Sequence, residues 1–337
     1  MTVTSRPVGM GAYLFDLVQA PVRWHALRAA LVLKLFDDLR TPASAAALAA
    51  PRGLDPARTA LLLDALAAMG ILGKSEEGYR LSAEAEPFLS GEDSLARSLL
   101  QLGGLRQAGL ERLPEMLRTG KPPQRPSLDF TDAAFWERAV ASLRSFHRAL
   151  GRAEMLAVLE SLPEWPQARR FLDIGAGSEV LCLAVAERRP DVAVTLFDLP
   201  PCAARIGADL AAMGRAGEVS ILPGDYNADD LGGGYDVAWA SMTLYYARDL
   251  AAVLGKVRRA LAPGGVFVSL HEGLNDGRTA PETHVVGRLI PALRGQDLSF
   301  ERGEIRAALE RAGFGAVESR RIDTAFGPMD ADIARGP

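Results

Sequence analysis

The sequence predicts an α/β fold in which a mainly helical N-terminal domain precedes a domain built on a parallel sheet. From residue 170 onward, short apolar runs alternate with helical segments, a pattern typical of βαβ units. Before residue 90, apolar residues recur at helical spacing and then end in one hairpin pattern. The stretch TGKPPQRPSLDFTD lies between the two regions and indicates a linker. We therefore expect domains at 10–90 and 161–337, joined by linker and bridging helices over 91–160 that line a pocket.

The composition is that of a soluble protein able to bury a core. Of 337 residues, 48% are apolar and 24% are charged, and the formal net charge is −4. Bulk charge therefore gives no reason to expect binding to nucleic acid or to an anionic membrane. The sequence has no apolar window long enough for a signal peptide or a membrane span. Its two cysteines, Cys182 and Cys202, lie in apolar helical contexts, so we expect a reducing, cytoplasmic location.

The N-terminal region reads as three helices followed by a hairpin. An apolar stripe runs along the first helix at helical spacing: Trp24, Leu27, Leu31, Leu35 and Leu39. The pairs Thr41-Pro42 and Asp55-Pro56 each have the pattern of an N-cap followed by a first-turn proline. The run ILGKSEEGYRL then predicts a β-hairpin. This order of elements is that of a winged helix.

Charge argues against DNA binding by this winged-helix-like domain. Residues 1–90 contain nine Lys/Arg and nine Asp/Glu, so their net charge is zero. The helix that would enter the major groove carries only Arg58 and Asp64. A DNA reader needs base-contacting and phosphate-contacting side chains inside a basic footprint. We therefore expect a dimerisation or lid module that forms a homodimer, partly through the apolar stripe.

The second region predicts alternating strands and helices. One amphipathic helix is expected over 135–160, with a bend at Gly151. The strands that follow read RFLDI, VTLFD, VSIL, YDVAWAS, VFVSLH and AVESRRID, with helices over 180–189, 201–213 and 249–261 between some of them. Right-handed crossovers place the carboxyl ends of parallel strands at one edge of the sheet, where ligands bind.

The first strand ends in the glycine loop of RRFLDIGAGSEV. Gly175 and Gly177 match a dinucleotide fingerprint, but Val180 occupies the position of its third glycine. Two carboxylates, Asp173 and Glu179, flank the loop and would repel a phosphate. The loop therefore suits a ligand that needs close backbone approach and carries positive charge at that end.

The next three strand ends add the groups that a nucleoside requires. Asp198 lies 21 residues after Gly177 and is placed to accept hydrogen bonds from ribose hydroxyls. Asp225 and Tyr226 are suited to bind an adenine amino group and to stack on its ring, and Ser241 follows at the next strand end. A ligand with ribose, adenine, an ammonium group and a sulfonium centre fits this set. We therefore predict S-adenosylmethionine as the cofactor.

At this point the ordered motifs resemble a known family. FLDIGAGSEV, VTLFDLPPCA, ILPGDYN, YDVAWASMTLYY, LGKVRRALAPGGVFV and IRAALERAGF are similar to those of small-molecule O-methyltransferases of the acetylserotonin and plant-phenol type. The resemblance covers nearly the whole chain. It implies a Rossmann-like, seven-stranded class I methyltransferase domain and a winged-helix dimerisation domain. The cofactor contacts it implies are Asp173, Gly175, Gly177, Asp198, Leu199, Asp225, Tyr226 and Ser241.

Two features depart from that family. Glu179 stands where the family has glycine, so it either faces solvent at a helix N-terminus, where the helix dipole favours it, or points at the ligand's methionyl end. After the fourth strand the family has Leu-His-Asp-Trp, whose histidine is its general base. Here Tyr245 and Tyr246 replace the histidine and aspartate. A phenol titrates far above neutrality, so neither tyrosine is an obvious base.

The chain offers other candidates for the missing catalytic role. His147 and His271 are candidates for a relocated base, and the two tyrosine rings are candidates to hold a sulfonium through cation–π contact. His271-Glu272 with His284 matches no common metal motif, so no metal is expected. Glu304 aligns with an acid that positions the base in phenol-methylating members, but without the histidine an exposed or capping role is expected.

We therefore expect a methyltransferase of secondary metabolism that acts on a small natural-product or aromatic substrate without the histidine base. One alternative is a non-methylating enzyme, such as a decarboxylase, a pericyclase or a cyclase that releases methylthioadenosine from S-adenosylmethionine. The other alternative is a regulator that binds the cofactor as a signal, and the zero net charge of residues 1–90 argues against it.

Overall fold

The computed structural model describes residues 9–91, 94–120, 129–295 and 297–336. The chain separates into two compact units between Gln101 and Leu102. Most of the proline-rich segment expected to be a linker, residues 121–128, lies outside the described residues.

The N-terminal unit contains the predicted helices and hairpin. Its elements are α1 (Met10–Val32), α2 (Ala45–Ala49), α3 (Pro56–Ala68), β1 (Leu72–Ser75), β2 (Gly78–Leu81), α4 (Glu86–Leu89) and the first half of α5 (Ala96–Gln107). β1 and β2 pair antiparallel, with Leu72 opposite Leu81. The expected order of three helices followed by a hairpin is therefore confirmed.

One of the two predicted helix starts is correct. Asp55 caps α3 by accepting a hydrogen bond from the backbone N–H of Arg58 at 2.8 Å. The start at Thr41-Pro42 is wrong, because Ser44 caps α2 instead. Ala43 exchanges two backbone hydrogen bonds with Tyr79, each 2.9 Å, and this bridge keeps the chain extended until Ser44.

The apolar stripe expected to help form a dimer is mostly used inside its own unit. Leu31 is 6% exposed and Leu35 is fully buried in the core that α3 and the hairpin complete. That part of the expectation is wrong. Apolar residues at helical spacing do not by themselves show whether they pack within their own unit or against another chain. Apart from Val32 at its C-terminal end, the large apolar side chains of α1 that are exposed lie nearer its N-terminus: Met10, Leu14, Phe15, Leu17, Val18 and Val22.

The second unit adds the helices α6 (Leu113–Thr119), α7 (Ala133–Phe146), α8 (Arg152–Glu160), α9 (Val180–Arg188), α10 (Pro200–Ala212), α11 (Leu250–Ala260), α12 (Glu282–Leu293) and α13 (Glu304–Arg311). Its strands are β3 (Arg170–Ile174), β4 (Ala193–Asp198), β5 (Ser220–Pro223), β6 (Tyr235–Ser241), β7 (Leu261–His271), β8 (Gly273–Leu274), β9 (Phe300–Glu301), β10 (Ala316–Thr324) and β11 (Gly327–Arg335). A π-helical turn, His147–Gly151, joins α7 to α8, so the interruption expected at Gly151 is a π turn.

Seven strands form one sheet in the order β10-β11-β7-β6-β3-β4-β5, as the resemblance implied. β7, β6, β3, β4 and β5 are mutually parallel, whereas β11 runs antiparallel to both of its neighbours. The expectation of a purely parallel sheet is therefore wrong at β11. Its sequence, GPMDADIAR, is not among the strands predicted above, although Met329, Ala331 and Ile333 alternate with Asp330 and Asp332 in the two-residue period of a strand.

The two cysteines are buried and free, as expected of small core residues. Among the helices of the described ranges, none is both long enough and apolar enough to cross a membrane.

Candidate functional site

Parallel neighbours in the sheet bring the predicted site residues to one edge. β6, β3, β4 and β5 lie side by side, so their carboxyl ends point the same way. Asp198 and Ser241 are the last residues of β4 and β6, and Asp173 is the penultimate residue of β3. Asp225 follows β5 by two residues. The topology thus collects at one edge the groups that the sequence placed at four strand ends.

The loop after β3 requires both of its glycines. Gly175 and Gly177 have φ values of 67° and 65°, in the left-handed region that favours glycine. A Cβ atom on Gly175 would overlap the side chain of Thr243. A Cβ atom on Gly177 would lie 2.8 Å from Leu143 Cδ1. Side chains at these two positions are therefore excluded both by the backbone conformation and by Thr243 and Leu143, which pack directly against the loop.

Asp198 is tied to the loop and keeps capacity for a ligand. Its carboxylate is 6% exposed and accepts hydrogen bonds from the backbone N–H groups of Gly177, at 2.8 Å, and Leu199, at 2.7 Å. Burial raises the pKa of Asp198, and these two hydrogen bonds act in the opposite direction. An ionised carboxylate has about four acceptor sites. The Cys202 thiol also hydrogen-bonds to this carboxylate, so about one further donor, such as a ribose hydroxyl, can be accommodated.

Asp173 is the most strongly perturbed acid at this edge. It is 3% exposed, and Cys182 Sγ lies 3.7 Å from its Oδ2 atom. Burial, reinforced by the negative charge of Asp198, raises the pKa of Asp173 to about 8. In the unliganded protein at neutral pH this carboxyl group is mostly protonated. A positive charge beside it would favour ionisation.

The ends of β5 and β6 complete the nucleoside edge. Asp225 Oδ1 accepts two hydrogen bonds from Asn227, both 2.9 Å, so the carboxylate is held by its own turn. Tyr226 is buried, and its hydroxyl donates to the carbonyl oxygen of Thr243 at 2.7 Å. Ser241 Oγ is buried and has no hydrogen-bond partner among the described residues. An orphaned buried hydroxyl at a strand end is a group that a bound ligand would satisfy.

Tyr245 and Tyr246 lie on a 3₁₀ turn after β6, and their environments differ. The guanidinium Cζ of Arg288 lies 5.0 Å from the ring centroid of Tyr245, so this ring already has a cation–π partner. Burial raises the pKa of Tyr245 well above its ordinary value, which makes its hydroxyl a donor and not a base. Tyr246 is 40% exposed, and its ring packs edge-on against Phe130, with 5.4 Å between centroids. Tyr246 therefore presents the more open ring.

His271 was a candidate relocated base, and the geometry contradicts that role. Its Nε2 atom accepts hydrogen bonds from the backbone N–H groups of Thr243, at 3.0 Å, and Leu244, at 2.9 Å. Its Nδ1 atom therefore carries the proton and donates to Ser269 Oγ at 2.9 Å. Burial, together with the positive charge of Arg288, lowers the pKa of His271 to about 3. The ring is thus a neutral acceptor that holds the turn, with no free nitrogen to take a proton.

His147, the other candidate base, contacts the glycine loop. Its Nδ1 atom lies 2.8 Å from Ser178 Oγ, and the side chain is 7% exposed. Burial lowers the pKa of His147 to about 4, so at neutral pH it is a neutral and weak base. Its observed partner is the loop serine, which assigns it to the support of that loop.

Glu179 does not face solvent, which was one of the two orientations expected from the sequence. It is fully buried, and both carboxylate oxygens accept hydrogen bonds from Arg144 on α7, one of them at 2.9 Å. The expectation of a solvent-facing glutamate is therefore wrong, and a contact with the ligand's methionyl end stays a prediction. Arg144 lies 35 residues away, and sequence reasoning missed it because one arginine on an amphipathic helix carries no pairing signal.

Two further residues of the sequence analysis have local partners. Glu304 is exposed, as one of the two expected roles requires, and its Oε2 atom accepts the backbone N–H of Glu301 in β9 at 3.0 Å. His284 Nε2 lies 2.7 Å from the carbonyl oxygen of Pro328. The sequence analysis also missed an ion pair beside Tyr245, in which Arg288 Nη2 lies 2.8 Å from Glu272 Oε1. Arg288 belongs to α12, whose helical pattern alone does not indicate that it turns toward this site.

Comparisons with known proteins show which family the chain is similar to. A methyltransferase domain model matches residues 143–319, and an O-methyltransferase dimerisation domain model matches residues 15–91. The chain is 30% identical to acetylserotonin O-methyltransferase of Mus musculus, across 96% of this chain and 88% of the mouse protein. It is 28% identical to the N,N-dimethyltransferase OxyT of Streptomyces rimosus, across 96% and 97%. The solved structure of PigF with SAH superimposes with a TM-score of 0.73 at 26% identity, across 96% and 98%.

Proposed function

Because this chain belongs to the O-methyltransferase family, with a methyltransferase domain after an O-methyltransferase dimerisation domain, we propose that it methylates a small molecule without a histidine base. S-adenosylmethionine, the cofactor of the family, supplies an electrophilic methyl group on a sulfonium. The acceptor is a natural-product or aromatic compound of secondary metabolism. The observation that carries the proposal is the turn after β6, where Tyr245 and Tyr246 stand and His271 has no free nitrogen.

The cofactor fits the edge of the sheet on three counts. The glycine loop holds a left-handed backbone conformation at the carboxyl end of β3, Ser241 Oγ is an orphaned buried hydroxyl, and Asp198 keeps an unused acceptor site. We assign the ribose to Asp198 with Leu199, the adenine to Asp225 and Tyr226, and the methionyl end to the glycine loop with Asp173 and Ser241. Similarity to PigF, whose structure contains SAH, supports this assignment.

The chain's own residues at the acceptor side suit orientation and not proton removal. Tyr245 is held by Arg288 and is a donor, His271 fixes the turn, and His147 supports the glycine loop. Alignment of two reactants can by itself supply several kcal/mol of a barrier, in the range of roughly 7–11 kcal/mol for the best intramolecular cases. The acceptor atom is therefore a nitrogen, a carbon or an already acidic oxygen. OxyT, named as an N,N-dimethyltransferase, supports a nitrogen among these.

The quaternary assignment is a homodimer through the N-terminal unit. The match to an O-methyltransferase dimerisation domain supports it, and the exposed apolar side chains near the start of α1 supply a surface to bury. The two buried, free cysteines fit the reducing interior of a cell. We place the enzyme in the cytoplasm on that ground.

Incubation with S-adenosylmethionine, first alone and then with a panel of amines, phenols and activated carbon acids, tests the reaction. Mass spectrometry should show S-adenosylhomocysteine and a methylated acceptor only when an acceptor is present. Methylthioadenosine formed without any acceptor would instead establish internal displacement, the non-methylating alternative that the same turn permits. If the protein binds the cofactor but forms neither product with any class of acceptor, the proposed reaction is refuted.

A further inference from the structure

One helical face contacts three consecutive residues of the glycine loop. Leu143 packs against Gly177, Arg144 forms an ion pair with Glu179, and His147 hydrogen-bonds to Ser178. Positions 143, 144 and 147 are neighbours on a helix surface, because residues three and four apart face the same way. The end of α7 and the start of the π turn therefore lie directly against the loop that the proposed cofactor site uses.

Arg144 is the centre of a chain of alternating charges that anchors this face. It pairs with Glu179 at the start of α9 and with Asp209 on α10. Arg205 also pairs with Asp209, through an Nη2–Oδ1 distance of 2.9 Å, and it reaches Glu137 at 3.1 Å. The side chains are progressively more exposed outward: Glu179 is fully buried, Asp209 is 17% exposed and Glu137 is 65% exposed. The inner pair is thus shielded from solvent, and the outermost pair is not.

We infer that Arg144 and Glu179 are positioning residues for the cofactor: their buried ion pair clamps α7 onto the glycine loop and holds that loop in its binding conformation. On its other side the loop is already tied to β4, since Gly175 N–H donates to the Phe197 carbonyl at 2.8 Å and Gly177 N–H donates to Asp198. The ion pair between Arg144 and Glu179 holds the loop on its remaining side, against α7. This inference rests on the proposed placement of the cofactor in the loop.

The physical basis is preorganisation. Ordering a loop at the moment of binding lowers the observed affinity, and a loop held beforehand avoids that loss. A carboxylate that is fully buried and bidentate to a guanidinium has one well-defined orientation. Glutamine at position 179 keeps the shape of the side chain and loses its charge. The loop would then be held less firmly while its backbone path stays available.

Isothermal titration with S-adenosylhomocysteine, together with thermal unfolding, tests the clamp. Glu179→Gln should raise Kd about tenfold or more, which is the loss expected for one charge-assisted interaction. Arg144→Lys, which keeps the charge without the bidentate geometry, should give an intermediate Kd. The matched control is Glu137→Gln, which breaks only the exposed outer bridge and should leave Kd within about twofold of the unsubstituted protein.

A double variant separates positioning from simple stability. Replacing a buried ion pair by apolar residues of similar size often preserves stability, so Arg144→Met with Glu179→Met should recover much of the thermal midpoint. Its Kd should stay weakened, because methionine pairs impose no orientation on the loop. Recovery of both quantities, or an unchanged Kd in Glu179→Gln, would overturn the inference. Asp198→Ala is the reference: if it does not weaken binding, the placement of the cofactor fails instead of the clamp.

Discussion

Cofactor binding should release a proton from Asp173, and its affinity should rise with pH. The pKa of Asp173 in the unliganded protein is raised to about 8 by burial and by the charge of Asp198. At pH 7 a group with this pKa is about 90% protonated. A ligand whose ammonium and sulfonium carry positive charge stabilises the ionised form, so binding should release close to one proton at pH 7.

The size of the pH effect follows from the same pKa. Below pH 8 the free protein holds the proton on Asp173 and the complex does not. The affinity for the cofactor therefore increases as the pH rises toward 8. If the pKa of Asp173 in the complex falls to 6 or lower, affinity should increase about 10- to 20-fold between pH 6 and pH 7.5. His147, with a pKa of about 4, and His271, with a pKa of about 3, titrate below this window.

Calorimetry in two buffers with different ionisation enthalpies measures both quantities. Asp173→Asn is the matched control, since it keeps the shape of the side chain and has no proton to release. It should bind more weakly at pH 7.5 and with an affinity nearly independent of pH across the window. Proton release that persists in Asp173→Asn would assign the effect to another group, with Asp198 the first candidate because its pKa is also raised. An absence of proton release from the unsubstituted protein would refute the reasoning.

Three further predictions concern the turn and the dimer. Tyr246→Ala should weaken S-adenosylmethionine binding by the roughly 0.5–2 kcal/mol of a cation–π contact and should reduce turnover. Tyr246→Phe should largely keep both the binding affinity and the turnover, as measured by titration and steady-state kinetics. Equal losses in the two variants would exclude a role for the ring face. His271→Ala should lower the free energy of unfolding by about 1–3 kcal/mol or more, because two buried N–H groups lose their acceptor. Its pH–rate profile should keep the same limbs as that of the unsubstituted protein. Loss of a limb would show that His271 acts as a base. Phe15→Asp, on the exposed apolar part of α1, should convert a dimer to a monomer in light scattering, and an unchanged mass would place the interface elsewhere.

The sequence by itself determined the order of the elements and most of the residues proposed to bind the cofactor at the carboxyl ends of the strands. The hairpin of β1 and β2, the cap at Asp55 and the strands β3 to β7 are encoded by short-range patterns: periodicity, capping residues and turn residues. Asp198 and Ser241 were found because a parallel sheet necessarily gathers its strand ends at one edge. These inferences need only local preferences and one topological rule.

The tertiary structure decided whatever depends on partners distant in the sequence. β11 is a strand because its backbone pairs with β10 on one side and β7 on the other, while Met329, Ala331 and Ile333 pack into the core. The same helical spacing in Leu31 and Leu35 suits an internal core or an interface, and packing selected the core.

The site shows the same division. A buried glutamate needs a counter-charge, but only the fold brings Arg144 from 35 residues away to Glu179. A histidine near the site is a base only if one of its nitrogens is free, and in His271 two backbone N–H groups occupy the acceptor nitrogen. Residue types and local spacing thus specify which groups are near the cofactor. The long-range hydrogen bonds of the folded chain decide which of them remain available for chemistry.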